Sequence, residues 1–286
     1  MRSSLFLIDL ILLSLAGLTG YLFWTTSPYQ STPATTSHFY DAFAQEVSST
    51  QYNTDGHKRY EFQAPSVQHY EQNSLSIIQA PIFYMYTQAG EAWKISAVQA
   101  KATDGLSNIQ LTDNVTVSGE QTAAFKDTRL CTEHAEYYPN EGVALTYHPV
   151  TMTQPNTRIT ADGMTAYFKE NRLTLLSNVK GEHQLNSPFF FSSDRMDVDY
   201  LHHITTLSGH ALAKTEKKGS ITTATADIIK YHQDKHLAIL LGNATVTDGM
   251  NTLNSPDIYY SIDQSKLNTE AKLGERVSIH IMPHTL

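Results

Sequence analysis

The chain has 286 residues, a formal net charge of −8 and one cysteine. This length suits one long domain or two short ones, and the negative charge argues against nucleic acid as a partner, because phosphate neutralisation requires clustered Lys and Arg. The single cysteine, Cys131, excludes an internal disulfide.

The first predicted element is a transmembrane helix at residues 5–24. This stretch is apolar except for Asp9 and a few small polar side chains, and at about 1.5 Å per residue it spans about 30 Å, the thickness of the hydrocarbon layer. A cleaved signal peptide is the alternative, but the run is longer than a typical signal core, and aromatic residues stand where a cleavage site is expected. Arg2 is the only Lys or Arg before Lys58, so the positive-inside rule predicts a cytoplasmic N-terminus and an external body.

Asp9 is the unusual residue of this helix. A carboxylate in hydrocarbon costs about 2.5 to 3.5 kcal/mol on insertion scales, so it usually has a partner. Alternatively, Asp9 lies close to the start of the helix, on the same face as Arg2, and reaches the headgroups. Both interpretations stay open. We predict an anchor over residues 1–26 and a linker over residues 27–50, the first part of which is rich in Ser, Thr and Pro.

From residue 51 onward the sequence repeats one pattern, most plainly at residues 93–117. Trp93, Ile95 and Ala97 share one face of a predicted strand, since side chains alternate with a period of two. A polar turn, a second strand and a polar corner follow. A similar corner precedes an apolar residue at seven places, spaced by 29 to 35 residues: Ile82, Val115, Val150, Val179, Ala211, Ala244 and Val277. A fixed period of this kind predicts a repeat architecture.

Each unit also has a turn upstream of its corner. The turns are predicted at residues 71–73, 104–105, 139–142, 169–171, 201–203, 232–234 and 262–264. Short polar turns pair strands antiparallel, and no helical period of useful length occurs past residue 50. We therefore predict an all-β body, an extended antiparallel β-jellyroll of two facing sheets built from about seven repeats of about 32 residues.

We call the space between the two predicted sheets the trough. It is either filled by the protein's own side chains or open to a ligand. Small residues at inward positions, such as Ala100, Ala161 and Ala224, leave width between the sheets and favour an apolar ligand. The strong enzymatic signatures, namely a nucleophile elbow, a phosphate loop, HExxH and paired CxxC, are absent from the sequence. His202 and His203 fall at a predicted turn, where adjacent side chains point apart. We expect no catalytic residue, no metal and no cofactor.

An N-terminal anchor is followed by short stretches in a particular order: residues 52–56, 60–64, 69–70, 79–81, 93–97 and 111–117. Together they resemble the LptC family of lipopolysaccharide export, and the resemblance covers roughly residues 1–186. Residues 187–286 add three more units, which are similar to the OstA or LptA repeats of the periplasmic bridge. We therefore divide the body into an LptC-like part, residues 51–186, and an LptA-like extension, residues 187–286.

The resemblance implies a single-pass inner-membrane protein with a cytoplasmic N-terminus and a periplasmic body. Its jellyroll would accept lipopolysaccharide from an ABC exporter (LptB, LptF and LptG) and pass it to the bridge protein LptA, holding the lipid A acyl chains between its sheets. Burial contributes about 0.8 kcal/mol per CH₂, so a dry slot binds lipid without a catalytic group. Successive proteins are expected to join by edge-strand addition, and residues 277–281 are the candidate docking edge.

Candidate groove contacts follow from the resemblance and from alternation. The resemblance places Ile78 and Thr112 where the family has groove contacts. Alternation adds residues on the predicted apolar faces: Tyr60, Phe62, Ile95, Ile109, Leu111 and Leu145. A register shift of one residue would move each of them to the solvent face.

Two other functions stay open at the level of sequence. A trough filled entirely by its own side chains would make the chain a membrane-anchored scaffold. An anchored periplasmic enzyme acting on glycans would need two carboxylates brought together in space. Asp194, Asp197 and Asp199 alternate with apolar residues and are instead predicted on the solvent face of a strand.

Overall fold

The computed structural model describes residues 40–87, 92–103, 106–120, 127–184, 188–217, 220–261, 266–270 and 276–281. The predicted transmembrane helix and the linker up to residue 39 lie outside these ranges. The rest of the predicted linker, up to residue 50, lies within them and mostly belongs to a strand, Ala42–Tyr52. Within them, no helix is both long enough and apolar enough to cross a membrane.

The described part of the chain consists of strands joined by short turns. The first eight strands are β1 (Ala42–Tyr52), β2 (Lys58–Tyr70), β3 (Leu75–Gln79), β4 (Ile82–Tyr86), β5 (Ala92–Ser96), β6 (Gln99–Thr103), β7 (Asn108–Glu120) and β8 (Arg129–Tyr138). The next eight are β9 (Val143–Thr146), β10 (Val150–Gln154), β11 (Thr157–Ala161), β12 (Met164–Tyr167), β13 (Arg172–Leu175), β14 (Val179–His183), β15 (Phe189–Ser193) and β16 (Arg195–Asp199). The last six are β17 (Ile204–Lys217), β18 (Ser220–His232), β19 (Leu237–Asp248), β20 (Asn251–Ser261), β21 (Lys266–Glu270) and β22 (Ser278–His280).

The predicted turns are confirmed wherever the structure describes them. Two of them are short 3-10 helices, Glu71–Asn73 and Phe168–Glu170, each ended by a residue in the left-handed conformation. Turns also occupy residues 139–142, 201–203 and 233–236. The predicted turns at residues 104–105 and 262–264 lie outside the described residues. All strand pairs among the described residues are antiparallel, so the all-β, antiparallel prediction is confirmed for this part of the chain.

The strands form two layers because each long strand pairs with two short ones. Residues 66–70 of β2 pair with β3, whereas residues 60–63 pair with β4. The first layer contains β3, β6, β9, β12, β13, β16 and β21, and the second layer contains β4, β5, β10, β11, β14, β15 and β22. The strands β1, β2, β7, β8 and β17–β20 run through both layers, usually with a break in register at the crossing.

The crossings coincide with the polar corners that the sequence predicts. Backbone conformations with positive φ occur there at Ala80 (42°), Asp113 (63°), Asn178 (55°), Gly209 (73°) and Gly242 (73°). Glycine and asparagine adopt this region most readily. Hydrogen bonds continue across the crossings, for example from Ala80 N to Val98 O (2.8 Å) and from Asp194 N to Gly209 O (2.8 Å). The backbone therefore changes layer without leaving these polar groups unpaired.

Later crossings share a side-chain contact as well. An aspartate on one crossing meets an Asn or His sixteen residues further along, on the next crossing. Nδ2 of Asn178 donates to Oδ2 of Asp162 (2.5 Å), Nδ1 of His210 lies 2.8 Å from Oδ2 of Asp194, and Nδ2 of Asn243 donates to Oδ2 of Asp227 (3.0 Å). Because each pair joins neighbouring crossings, the contacts help to fix the register between consecutive strands.

We expect Gly209→Ala to destabilise the fold more than Gly249→Ala does. Both glycines have positive φ, 73° and 59°, so alanine is strained at either position by about 1 to 2 kcal/mol. A Cβ at position 209 would also collide with the Asp194 carboxylate, whereas nothing lies within 4 Å of a Cβ at position 249. Urea denaturation of both variants measures the difference, and equal losses would show that the crossing is not sterically constrained there.

Candidate functional site

Most of the predicted groove contacts face the interior between the layers. Phe62, Ile78, Ile95, Ile109 and Leu111 are between 0% and 4% exposed, and Tyr60 is half-buried against them. They are spread over both layers and belong to one continuous apolar core. Their side chains fill the interior at this end of the body, and their role as lipid contacts stays a prediction.

The structure places the other two predicted contacts on the outer face. Leu145 is half-buried, whereas its neighbours Ala144 and Thr146 are 0% and 3% exposed, so the apolar alternation in β9 is one residue out of phase with the prediction. Ala144 pairs with Tyr137, and a small side chain at that position accommodates the buried ring. Thr112 lies next to the inward Leu111, and its hydroxyl donates to Gln99 O (3.4 Å).

In β19 the apolar alternation of the sequence likewise indicates the wrong inward face. Leu237, Ile239 and Leu241 form an apolar alternation in the sequence, but Leu240 is the inward residue, at 3% exposure. Leu240 pairs with Ile229 and Ile258, which are buried as well. The three alternating residues are half-buried on the opposite face, where sequence periodicity cannot distinguish them from core residues.

An aromatic cluster spans the space between the layers in the first two thirds of the body. Trp93 belongs to β5 of the second layer, and Phe168 and Tyr200 follow β12 and β16 of the first layer. The Trp93 ring lies 6.0 Å from Phe168 and 5.7 Å from Tyr200 between centroids. All three are at most 6% exposed. We call Trp93, Phe168 and Tyr200 the interlayer cluster.

Further rings extend this cluster towards β2. Tyr137 lies 6.3 Å from Phe168 and 5.1 Å from Phe83, which in turn stacks on Phe62 at 4.9 Å. Tyr137 is fully buried, and its hydroxyl contacts the sulfur of Met85. The interior from β2 to β16 is therefore occupied by aromatic side chains from both layers.

One cross-strand row shows how the interior changes along the body. On the inner face of the second layer, consecutive strands contribute Phe62, Phe83, Ile95, Val117, Leu130, Met152, Ile159, Gly181, Phe191, Ala213, Ala224, Val246, Leu253 and Ile279, each paired with the next. Every member from Phe62 to Gly181 is buried. From Phe191 to Leu253 the members are only half-buried, and Ile279 is 67% exposed.

We call the inner-face residues Phe191, Ala213, Ala224, Val246 and Leu253 the slot. They are apolar, partly exposed and packed against the core. Nearer the crossings, buried alanines such as Ala211 and Ala244 accompany the larger Leu207, Ile229 and Leu240, so the base of the trough is filled. The slot is therefore a row of apolar side chains on the inner face of the second layer that remain partly accessible.

Gly181 sets the position of Phe191 at the start of the slot. The two residues are paired across β14 and β15, and a Cβ on Gly181 would collide with the Phe191 ring. The ring therefore lies flat over the glycine, against the floor of the second layer. Phe189 shares this inner face at 37% exposure, with its ring 6.0 Å from that of Phe191.

Sequence reasoning placed its candidate contacts before residue 146 and missed the slot. The available signals were the alternation of Phe189 and Phe191 and the small inward residues at positions 211, 224 and 226. They indicate which residues lie on the inner face. They do not show how far side chains of the opposite layer fill the space beside that face. That depends on contacts between strands far apart in the sequence.

Asp197 on the outer face does not fit the general-acid role in glycoside hydrolysis. Asp197 accepts hydrogen bonds from Arg195 (2.8 Å) and Thr174 (2.7 Å). Burial raises the pKa of Asp197, but the bonds from Arg195 and Thr174 outweigh it and leave the pKa lowered. A general acid needs a raised pKa, so Asp197 remains ionised and serves as an acceptor. Among the described residues, no three His, Cys, Asp or Glu side chains are grouped to hold a metal.

Comparison with known families assigns the chain. A family model described as "Lipopolysaccharide-assembly, LptC-related" matches residues 10–184, which is more than half of the sequence. The chain belongs to this LptC-related family. A second model, described as "LptA/(LptD N-terminal domain) LPS transport protein", matches residues 131–266. Both are families of lipopolysaccharide transport proteins rather than enzymes, so the role of this LptC-related chain lies in lipopolysaccharide transport.

The slot of this LptC-related chain lies beyond the first match and within the second. Among solved structures, the chain is similar to LptH, described as the LptA homologous periplasmic component of the lipopolysaccharide transport device from Pseudomonas aeruginosa. The two share 18% identity over 55% of this chain and 95% of LptH, with a TM-score of 0.29. No curated protein matches the chain. The predicted boundary between residues 186 and 187 stays a prediction, and β14 and β15 pair on either side of it.

We expect the fold to lose stability above pH 10. Burial raises the pKa of both Tyr137 and Tyr200 above the ordinary value of 10.0. A neutral folded-state tyrosine contributes stability that is complete below the unfolded pKa and is lost as the unfolded chain ionises at higher pH. Tyr200→Phe should reduce this alkaline loss, as measured by urea denaturation between about pH 9 and pH 11, roughly one unit either side of the ordinary tyrosine pKa. Tyr147→Phe is the control, since Tyr147 is 78% exposed, and equal alkaline slopes in both variants would contradict the prediction.

We expect Gly181→Ala to cost about 1 to 3 kcal/mol of unfolding free energy, the usual penalty for overpacking. The cost should nearly vanish in a Phe191→Ala background, because the ring that the new methyl group meets is gone. A double-mutant cycle by chemical denaturation measures the coupling between the two positions. Additive losses would mean that Phe191 does not lie over Gly181 in solution.

Proposed function

We propose that this chain is an inner-membrane-anchored carrier that holds lipid A acyl chains in the slot. In this role it accepts lipopolysaccharide from the ABC exporter formed by LptB, LptF and LptG and passes it towards the bridge protein LptA. The observation that carries the proposal is the change from buried to half-exposed apolar side chains along one cross-strand row, beginning at Phe191.

The chemistry of the slot supports an acyl ligand. Its residues are apolar and partly exposed, and two of the five are alanines, whose small side chains take up little of the width between the layers. At the outer end of the same strands lie Thr222 and Asp248, which share a hydrogen bond of 3.1 Å. Acyl chains placed on the floor would gain about 0.8 kcal/mol per buried CH₂, while a polar headgroup would stay beside the polar strand ends.

Membrane attachment rests on the sequence. Residues 5–24 are long and apolar enough to span the hydrocarbon layer, and Arg2 is the only basic residue ahead of them. We propose a single-pass inner-membrane protein with a cytoplasmic N-terminus and a periplasmic body.

The strands at the two ends of the ladder support the proposed contacts with partner proteins. In the described residues, β1 pairs only with β2, and β21 and β22 pair only with β20. Val277, Ile279 and Ile281 are 39%, 67% and 70% exposed at the second of these edges. An exposed edge strand with apolar side chains accepts a further strand through main-chain hydrogen bonds, and residues 277–281 are the edge at which we place LptA.

A membrane-anchored scaffold is the second candidate function. The filled interior from β2 to β16 favours it, because the buried aromatic rings there leave the described core without an accessible apolar floor. The scaffold and carrier functions make opposite predictions for the slot, where the side chains are accessible.

Photocrosslinking at adjacent phenylalanines tests the carrier function. Phe191 faces the slot, whereas Phe190 lies on the outer face of the same strand and is 42% exposed. A photoreactive phenylalanine analogue is placed at either position in the full-length chain, and the purified protein is irradiated with lipopolysaccharide. We expect a lipid adduct from position 191 and at least about tenfold less from position 190, because only the inner face binds apolar ligand.

Lipopolysaccharide lacking acyl chains provides the ligand control and should give no adduct at position 191. Equal labelling at positions 190 and 191 would indicate surface adsorption. Absence of labelling at position 191 in folded protein would favour the scaffold.

A further inference from the structure

The inner face of the first layer changes in burial along the ladder, as the second layer does. One cross-strand row of the first layer is buried at Ile109, Tyr137, Ala144, Ala166, Leu173 and Val198. The same row continues, each residue paired with the next, through Thr205, Tyr231, Ala238, Tyr260 and Leu267. The first four of these are half-buried and Leu267 is 36% exposed. From β17 onward, the inner faces of both layers are therefore partly accessible.

The buried part of this row shows what a tyrosine at this position accommodates. The Tyr137 ring lies 5.1 Å from the Phe83 ring of the second layer between centroids, and the Tyr137 hydroxyl contacts the sulfur of Met85. Met85 is an unbranched apolar side chain, and its sulfur is a weak hydrogen-bond acceptor. The position thus fits a flexible apolar chain that carries an acceptor within reach of the hydroxyl.

Tyr231 and Tyr260 occupy the same row but have smaller residues of the second layer in place of Phe83. The strands β18 and β19 carry Ala224 and Val246 in the cross-strand row to which Phe83 belongs. Both tyrosines remain half-buried, whereas Tyr137 is 0% exposed. The repeat therefore presents the same kind of side chain once covered by the protein and twice partly accessible beside the slot.

We propose that Tyr231 and Tyr260 form the second wall of the lipid site, opposite the slot, and that the Tyr260 hydroxyl binds the carbonyl group that joins an acyl chain to the headgroup. The inference rests on the proposed function, because it names the side chains that hold the lipid in the slot from the other layer. It makes Tyr260 a residue that selects ester- or amide-linked chains.

The depth of the two tyrosines supports a contact with the linkage rather than with the end of the chain. The register of β18 breaks at residues 225–228, where the strand crosses between the layers. Tyr231 lies three residues after this break and Thr222 lies three residues before it, which is about 10 Å on either side at about 3.3 Å per residue. Thr222 donates to Asp248 (3.1 Å), so this depth is polar on the second layer. Tyr260 shares the row of Tyr231, and a tyrosine suits such a boundary because its ring is apolar and its tip is polar.

Crosslinking at adjacent tyrosines tests the second wall. Tyr260 lies on the inner face of β20, whereas Tyr259 pairs with Ile239 on the outer face of the same strand. A photoreactive phenylalanine analogue replaces either residue in the full-length chain, and the purified protein is irradiated with lipopolysaccharide. We expect an adduct from position 260 and at least about tenfold less from position 259, because only the inner face binds apolar ligand.

Tyr260→Phe tests the hydroxyl, and Tyr259→Phe is the matched control. Monolauroylglycerol, which has an ester carbonyl, and its dodecyl ether analogue, which has none, compete with lipopolysaccharide for a photoreactive probe at Phe191. Tyr260→Phe should weaken competition by the ester about two- to tenfold, the effect of one hydrogen bond, and should leave competition by the ether unchanged. Tyr259→Phe should alter neither, and far-ultraviolet circular dichroism checks the folding of both variants.

The outcomes separate the second wall from the carrier. Equal adducts from positions 259 and 260, or no adduct from position 260 while Phe191 is labelled, would overturn the second wall and leave the carrier standing. Equal weakening of the ester and the ether in Tyr260→Phe, or the same effect in Tyr259→Phe, would overturn the contact with the carbonyl. Absence of labelling at Phe191 in the otherwise unaltered chain would refute the carrier and this inference together.

Discussion

The described chain of this protein passes repeatedly between two layers while its backbone groups stay hydrogen-bonded, and the rest of the structure depends on how that crossing is made. The left-handed residues at the crossings, such as Asn178 and Gly209, turn the chain within one or two residues. The hydrogen bond that Asn178 donates to Asp162 and the contact between His210 and Asp194 then join neighbouring crossings. Because the crossings are in line, the inner faces of all strands are in line as well, and a single row of side chains runs along the body.

The volume of the side chains in that row decides what the interior does. Where Phe83, Trp93 and Phe168 meet across the layers, the trough is a core. Where Ala213 and Ala224 follow one another, the same backbone leaves an accessible apolar floor. The filled part and the accessible part of the trough thus lie side by side along one strand ladder, and both have the same fold. The boundary falls at Gly181 and Phe191, where a missing Cβ lets an aromatic ring lie flat.

The sequence was sufficient for the all-β, antiparallel architecture and for the turns that the structure describes, because a period of two and polar corners are local properties of the chain. It did not predict the first strand, since most of β1 lies in the stretch assigned to the linker. It placed Phe62, Ile95 and Leu111 correctly on the inner face. It failed at β9, where the inward residues are Ala144 and Thr146 and carry little apolar signal, and at β19, where the outer face is more apolar than the inner one. The extent of the slot was beyond local reasoning, since it depends on which side chains from the opposite layer reach across. Residues of the two layers that meet there, such as Trp93 and Tyr200, are far apart in sequence.

The ladder of neighbour-only contacts has a consequence for the order in which the body opens. Each strand contacts only the strands beside it and the layer opposite, so local stability follows local burial, as in other quasi-one-dimensional proteins. Burial is deepest around Tyr137 and Ile95 and thins towards Leu253 and Ile279. We therefore expect the strands at the two ends of the ladder, β1 and β20 to β22, to fray first and to exchange their amide protons soonest. The edge on which we place a partner belongs to one of these weakly buried ends, and an added strand would stabilise it.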